Sequence, residues 1–392
     1  MVPSNFILIL VLFTYGCNCH IFNDFLIRDN IALSKCKQIL IYNLLAFLYL
    51  FYLLVSPYQT KCNSTLPGGV HEEGICKTRT ECLLTGGIPR GHCGFLSTCC
   101  AYTKSCGRTS NAKVSYFSSG LISNEVREGL CTYNVVVANE NVCQIRLDFL
   151  QFETTPPSSS TNGLDVFCIV DNFYVTPTSR GMPQICGHNS GQHVYVDVPN
   201  HKKNIELNMK IGSNSIPRPY WNIKITQLEC PRQESLLHKI DKELVYDYNY
   251  LAPSGCLQYF TEPSGIITSF GFNYDSVTMI GDPYVSNQHY SICFKRYENK
   301  CGIIATIVYA QLRATNGETN CSPTNHYLQI SGRAGFICAN DGTPTTGPIE
   351  NFPIIASPPG PIHIDFHAES NQNSVGFNIN YELVASCGDV YK

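Results

Sequence analysis

Cysteine spacing constrains this chain more than any other feature. Cys106, Cys131, Cys143, Cys168, Cys186 and Cys230 are separated by 25, 12, 25, 18 and 44 residues. Cys256, Cys293, Cys301, Cys321, Cys338 and Cys387 follow at separations of 37, 8, 20, 17 and 49. The rank order is similar in both: a long gap, a short one, two of medium length, then the longest. Such a rhythm marks two copies of one structural unit. Each copy, about 125–132 residues long, has ordinary domain size.

Six more cysteines, Cys62, Cys76, Cys82, Cys93, Cys99 and Cys100, crowd into residues 62–100. Only Cys17, Cys19 and Cys36 of the 21 cysteines come earlier, so 18 remain, an even number able to pair completely. Reducing compartments keep thiols free, so this density implies export. A zinc site would want C-x2-C pairs with matching partners, whereas the closest cysteines after residue 61 are the adjacent Cys99 and Cys100. Residues 62–100 are glycine-rich with almost no apolar core, so they need covalent staples. Six cysteines allow fifteen connectivities, and spacing selects none of them.

Strand signals fill both repeats. Residues 144–149 (Gln-Ile-Arg-Leu-Asp-Phe), 221–225 (Trp-Asn-Ile-Lys-Ile) and 377–383 (Phe-Asn-Ile-Asn-Tyr-Glu-Leu) alternate as half-buried strands do. Turn clusters such as 155–160 and 357–360 separate them. The expected fold is all-β: two disulfide-linked antiparallel sandwiches behind a small disulfide-rich module. The expected segments are 1–61, a signal or anchor region; 62–105, the module; 106–230, the first sandwich; 231–255, a linker; and 256–392, the second sandwich. In the linker Leu236, Leu237, Ile240 and Leu244 could line a short helix, or the segment could be solvated.

Two apolar stretches open the chain. Residues 6–15 have signal-core length but no preceding Lys or Arg. Ile39 to Val55, behind Lys35 and Lys37, is marginal for a membrane span, where about 20 residues are usual. A cleaved signal followed by a stop-transfer span would leave eighteen cysteines in the cytosol, against the disulfide reading. Two readings remain, besides a misassigned N-terminus. Ile39 to Val55 is a start-transfer segment, cleaved or kept as a type II anchor with its lysines cytosolic; or residues 6–15 are the signal and the second stretch is no span. Either way the remainder is secreted or faces the outside. Asn63-Ser64-Thr65 is an N-glycosylation acceptor.

Several residues carry a resemblance to CUB domains: Cys168-Ile169-Val170-Asp171-Asn172-Phe173-Tyr174-Val175, then Ile185-Cys186-Gly187, and Gly376-Phe377-Asn378-Ile379-Asn380-Tyr381. With Cys131-Thr132-Tyr133 and Ile145, Leu147 and Phe149, residues 106–387 resemble two CUB-like jelly rolls. In the second, Ala339 follows Cys338 where glycine is usual, and Thr324 holds the Cys-x-x-Asp position. The 62–100 segment resembles the clip-type modules of arthropod extracellular proteins, some of which precede two CUB-like domains. The resemblance implies pairs Cys62–Cys99, Cys76–Cys93, Cys82–Cys100, Cys106–Cys131, Cys168–Cys186, Cys143–Cys230, Cys256–Cys293, Cys321–Cys338 and Cys301–Cys387. It also implies a Ca²⁺ ligand at Asp171, with Glu125 and Asp197 as candidate partners.

Catalysis finds little support. Gly187-His188-Asn189-Ser190-Gly191 lacks the Gly-Asp-Ser-Gly-Gly environment of a trypsin-type serine, and no His-Glu-x-x-His occurs. Ser190 and His193 read as a loop and a strand start. His363, Asp365 and His367 alternate onto one strand face, a pattern that could hold zinc or copper or simply be solvated. A net charge of −3 without long charge runs gives no basic surface for nucleic acid. The expectation is a non-enzymatic extracellular protein that binds proteins or glycans. The alternatives are an inactive regulator that docks a serine-protease cascade through residues 62–100, and a structural matrix component.

Overall fold

A computed structural model describes residues 61–385 except 66–70, 95–96, 121–127, 162, 164, 178–181, 200–203, 216–217, 231–246, 301, 313–325, 333–334, 339–344, 349–353, 356–360 and 370–373. Residues 6–15 and 39–55 lie outside the described residues, as do Cys17, Cys19, Cys36, Glu125, Cys301, Cys321, Cys387 and the four leucine and isoleucine positions of the linker.

Residues 61–101 fold as one antiparallel sheet, in the order Lys61–Thr65, His71–Thr78, Ser97–Ala101, Ile88–Gly94. A single helix, Arg79–Leu84, starts where the Thr78 hydroxyl accepts from the Glu81 N–H at 3.2 Å. Its buried face is one residue, Cys82. The apolar centre is Cys82, Cys100 and Tyr102, with Ala112 against it. Gly87 packs directly on the Cys82–Cys100 bridge, where a Cβ would collide with both sulfurs. Sulfur, not hydrocarbon, fills this centre.

The two larger units are sandwiches built to one plan. In the first, one sheet runs Asn172–Thr176, Asn204–Ile211, Gly129–Val136, Arg108–Ser110. The facing sheet runs His193–Asp197, Val142–Glu153, Tyr220–Glu229, Val114–Ser118, Thr103–Lys104. In the second, one sheet runs Tyr327–Ile330, Ile362–Ala368, Gln288–Phe294, Cys256–Phe260, and the other Thr345–Pro348, Gly302–Gln311, Gly376–Val384, Ser264–Thr268. Matched by sequence order, the shared strands occupy the same places. Arg108–Ser110 and Cys256–Phe260 each run parallel to their neighbours, an exception to the expected antiparallel pairing.

The shared plan extends to a defect. The ladder between Val142–Glu153 and Tyr220–Glu229 slips between Asn222 and Ile223, leaving Leu150 as an extra residue. That bulge turns both Phe149 and Phe152 into the core, where strict alternation would expose one of them. The corresponding ladder of the second sandwich slips between Ile307 and Tyr309, and there Val308 is the extra residue, exposed.

Two boundaries differ from expectation. Thr103–Lys104 pairs with Val114–Ser118, so it belongs to the first sandwich rather than to the module. The end of the linker is packed rather than solvated. Gln144 exchanges side-chain hydrogen bonds with both backbone groups of Ala252, at 2.9 and 3.0 Å. Asp247 accepts from Lys113 Nζ at 2.7 Å and from the Glu229 N–H at 3.1 Å. These bonds pin the chain to the first sandwich before it enters the second.

Candidate binding surfaces

The described cysteines pair as Cys62–Cys99, Cys76–Cys93, Cys82–Cys100, Cys106–Cys131, Cys143–Cys230, Cys168–Cys186 and Cys256–Cys293. Cys338 is also disulfide-bonded. Among the described residues the only close group of three thiol, imidazole or carboxylate groups is Cys62, Cys76 and Cys93, whose sulfurs are already in bridges.

The module is fastened to the first sandwich through adjacent acids. Glu73 meets Lys224 Nζ at 2.6 Å and Lys61 Nζ at 3.1 Å. Its backbone N–H donates to the Tyr116 hydroxyl at 2.5 Å. Burial works against the Glu73 charge, but Lys224 and Lys61 outweigh it and hold the carboxyl below its ordinary pKa. Buried Glu72 accepts from Thr103 Oγ1 at 2.7 Å and faces Arg90 at 3.4 Å.

Asp171 is almost completely buried and its carboxylate is fully used. One oxygen accepts from the Thr155 N–H and hydroxyl at 2.9 and 2.7 Å; the other accepts from the Gly212 N–H at 3.1 Å and from Ser215 Oγ. These four donors tie three loops together. Ca²⁺ needs six to eight oxygens with free lone pairs, and coordination by Asp171 would displace at least one of these donors. Asp197 accepts from Gln144 Nε2 at 3.1 Å at the end of a strand in the facing sheet. Among the described residues Asp171 and Asp197 are thus held by separate sets of hydrogen-bond donors.

Ser190 and His193 hold structure together. Ser190 Oγ accepts from the Phe152 N–H at 2.8 Å. His193 opens the His193–Asp197 strand and is buried against the second sandwich, where its Nε2 accepts from the Tyr259 N–H at 3.0 Å. Its ring meets Phe260 edge-on, with centroids 4.8 Å apart. Burial, with Arg146 nearby, lowers its pKa to about 4. Around it Gln192 Nε2 donates to Thr268 Oγ1 at 3.1 Å, and Asn189 Oδ1 accepts from the Gly271 N–H at 2.8 Å. A single cluster of buried apolar residues includes members of both sandwiches.

The histidine strand divides into two pairs. Ile362, Ile364 and Phe366 are fully buried, leaving His363, Asp365 and His367 on the outer face. His363 Nε2 lies 3.4 Å from Asp365, which raises the histidine pKa. His367 turns instead to its cross-strand neighbour His289. The three residues do not converge on one point.

One hairpin keeps a largely exposed apolar tip, although the Tyr274 hydroxyl donates to Met279 Sδ at 3.1 Å. Tyr274–Asp275 pairs with Ile280–Gly281 to form a short hairpin. Asp275 Oδ1 accepts from the Val277 N–H at 2.9 Å and Oδ2 from the Thr278 hydroxyl at 2.8 Å. Those hydrogen bonds depress the Asp275 pKa. The Met279 N–H returns to the Asp275 carbonyl at 2.9 Å, with Met279 at φ 58°. At the base Tyr274 packs on Tyr309, centroids 4.0 Å apart, and Asn273 donates to Asp282 at 2.9 Å. This locked turn leaves Val277, Met279 and Ile280 87, 72 and 70% exposed. Nothing in the sequence marked it, because the signal is solvent exposure rather than residue type.

The second sandwich can now be compared with known proteins. Residues 253–384 match the model of the animal CUB domain. The 274–281 hairpin lies within the matched residues. The matched repeat is the one with Ala339 and Thr324 at motif positions. Two solved structures are also similar: the CUB1-EGF-CUB2 domains of rat MASP-1, at 14% identity over 72% of this chain and 100% of that chain, TM-score 0.25, and the human MASP-1/3 CUB1-EGF-CUB2 domain, at 14% over 70% and 100%, TM-score 0.23. Scores this low say nothing about how the domains of this chain are arranged. No curated protein sequence matches the chain. Among the described residues no helix is long and apolar enough to cross a membrane.

Proposed function

We propose that this chain is a non-catalytic extracellular recognition protein that binds a protein ligand through the 274–281 hairpin of its CUB domain. The carrying observation is the locked turn with three outward apolar side chains. Covering each such side chain is worth about 1.5–3 kcal/mol, and a rigid loop spends little of that on ordering. Aliphatic side chains suit the apolar centre of a protein interface better than a glycan, which asks for hydrogen bonds and aromatic faces. On this reading the first sandwich is a second, diverged CUB domain, supported by its shared sheet order and bulge. The disulfides support export. Asn63, exposed on an edge strand, carries a glycan that a glycosidase mobility shift reports.

A second reading, regulation of a protease cascade through residues 62–100, is favoured by Leu83 and Leu84, 55 and 83% exposed on the module helix. Affinity capture from the native extracellular fluid, followed by mass spectrometry, separates the two. Under the first reading, V277S/M279S/I280S abolishes enrichment of a partner that L83S/L84S retains. Serine proteases retained by the hairpin variant and lost with L83S/L84S establish the second reading and end the first.

A further inference from the structure

We propose that His289 and His367 form a surface site for a borderline transition-metal dication of the Zn²⁺ class. The two residues stand directly opposite each other on neighbouring strands, Gln288–Phe294 and Ile362–Ala368. Their Nδ1 atoms are 3.1 Å apart, with ring planes at 88°. Zn–N bonds of about 2.0–2.1 Å in tetrahedral geometry place two ligand nitrogens a little over 3 Å apart. The backbone register therefore already sets the bite of a chelate.

The remaining ring nitrogen of His367 strengthens this assignment. His367 Nε2 lies 2.9 Å from Glu369 Oε1. A carboxylate there fixes the proton on Nε2 and leaves Nδ1 as a lone-pair donor aimed at His289. Metal-bound histidines are oriented by this same carboxylate-to-imidazole contact. Tyr327 stacks on the opposite side of the His367 ring, centroids 4.9 Å apart and 21° between planes, and holds its orientation. His289 is exposed, so an ion reaches the pair without rearrangement, and two or more coordination positions stay open to water or to a donor from another molecule. Imidazole pairs suit Zn²⁺ and Cu²⁺ rather than Ca²⁺.

His363 is outside the site. It shares the strand face but is engaged with Asp365, which also accepts from Ser291 Oγ. That makes it an internal control.

The test is calorimetric titration of Zn²⁺ into the full chain after dialysis against a chelator. One saturable equivalent is expected. H289A and H367A each weaken it at least tenfold, E369Q weakens it about tenfold through the lost orienting contact, and H363Q leaves it unchanged. His289 is exposed, so H289A keeps its fold and the test stands even if H367A does not. No saturable binding up to millimolar Zn²⁺, or H289A binding as wild type does, overturns the site. Loss of binding in H363Q equal to that in H289A also overturns it, because the ligands would then be another set.

Discussion

The 61–101 module and the two sandwiches solve the same problem with different materials. The module has a few dozen residues around Cys82, Cys100 and Tyr102, too little hydrocarbon to offset chain entropy by itself. The sandwiches bury Phe117, Tyr133, Trp221, Phe149, Phe152 and Phe173 in the first and Phe294, Phe366 and Phe377 in the second, all essentially inaccessible to water. Disulfides in the module thus replace a core, whereas those in the sandwiches supplement one. The difference teaches where each part should fail first.

The largest effect is expected inside a sandwich. Trp221 is fully buried, edge-on to Phe117 at 5.4 Å, and W221A should cost about 3–5 kcal/mol through the cavity it leaves, read as a lowered midpoint in chemical denaturation. Removing the Cys82–Cys100 bridge with C82S/C100S should cost about 3 kcal/mol, the chain-entropy value for a short loop. There the loss should stay local: hydrogen exchange opens residues 61–101 while the sandwiches keep their protection. If both variants melt the whole chain in one step, the contrast between core and staples is wrong.

The buried seam between the sandwiches gives a pH-dependent effect. His193 is neutral in the folded protein and its pKa of about 4 lies below the ordinary value of 6.5. As pH falls through 6.5 the unfolded chain takes up a proton that the folded chain refuses, so stability is full above that pH and declines towards 4. The total loss is about 3 kcal/mol. H193Q should flatten this window; an unchanged pH profile in H193Q would place the acid sensitivity elsewhere. Smallest of all, E73Q should weaken the module's attachment by under about 1 kcal/mol, because the Lys224 and Lys61 contacts are partly solvated. Protease nicking after residue 101 should then rise without a change in the sandwich midpoints.

Sequence made the strands visible wherever one face meets the core. Residues 144–149, 221–225 and 377–383 alternate because burial has a period of two, and the structure buries Ile145, Leu147, Ile223, Ile379 and Leu383 accordingly. Cysteine rhythm exposed the duplication. Two motif positions, Ala339 and Thr324, made the second repeat look the more divergent, yet it is the one matched over 253–384. What could not be read are relations across strands. His289 and His367 are 78 residues apart and meet only through register. Asp171 looked like an open ligand because its Cys-x-x-Asp context is local, while all four of its donors, on Thr155, Gly212 and Ser215, lie in other loops.

The apolar cluster that continues from one sandwich into the other has a consequence for recognition. Two domains on a loose tether must surrender orientational freedom when both engage a target, and that entropy is subtracted from affinity. Here the buried seam around His193, Phe260 and Asn189 removes the freedom during folding. Under the proposed function, a target that touched both sandwiches would meet them at one fixed spacing, as between the jaws of a locked calliper.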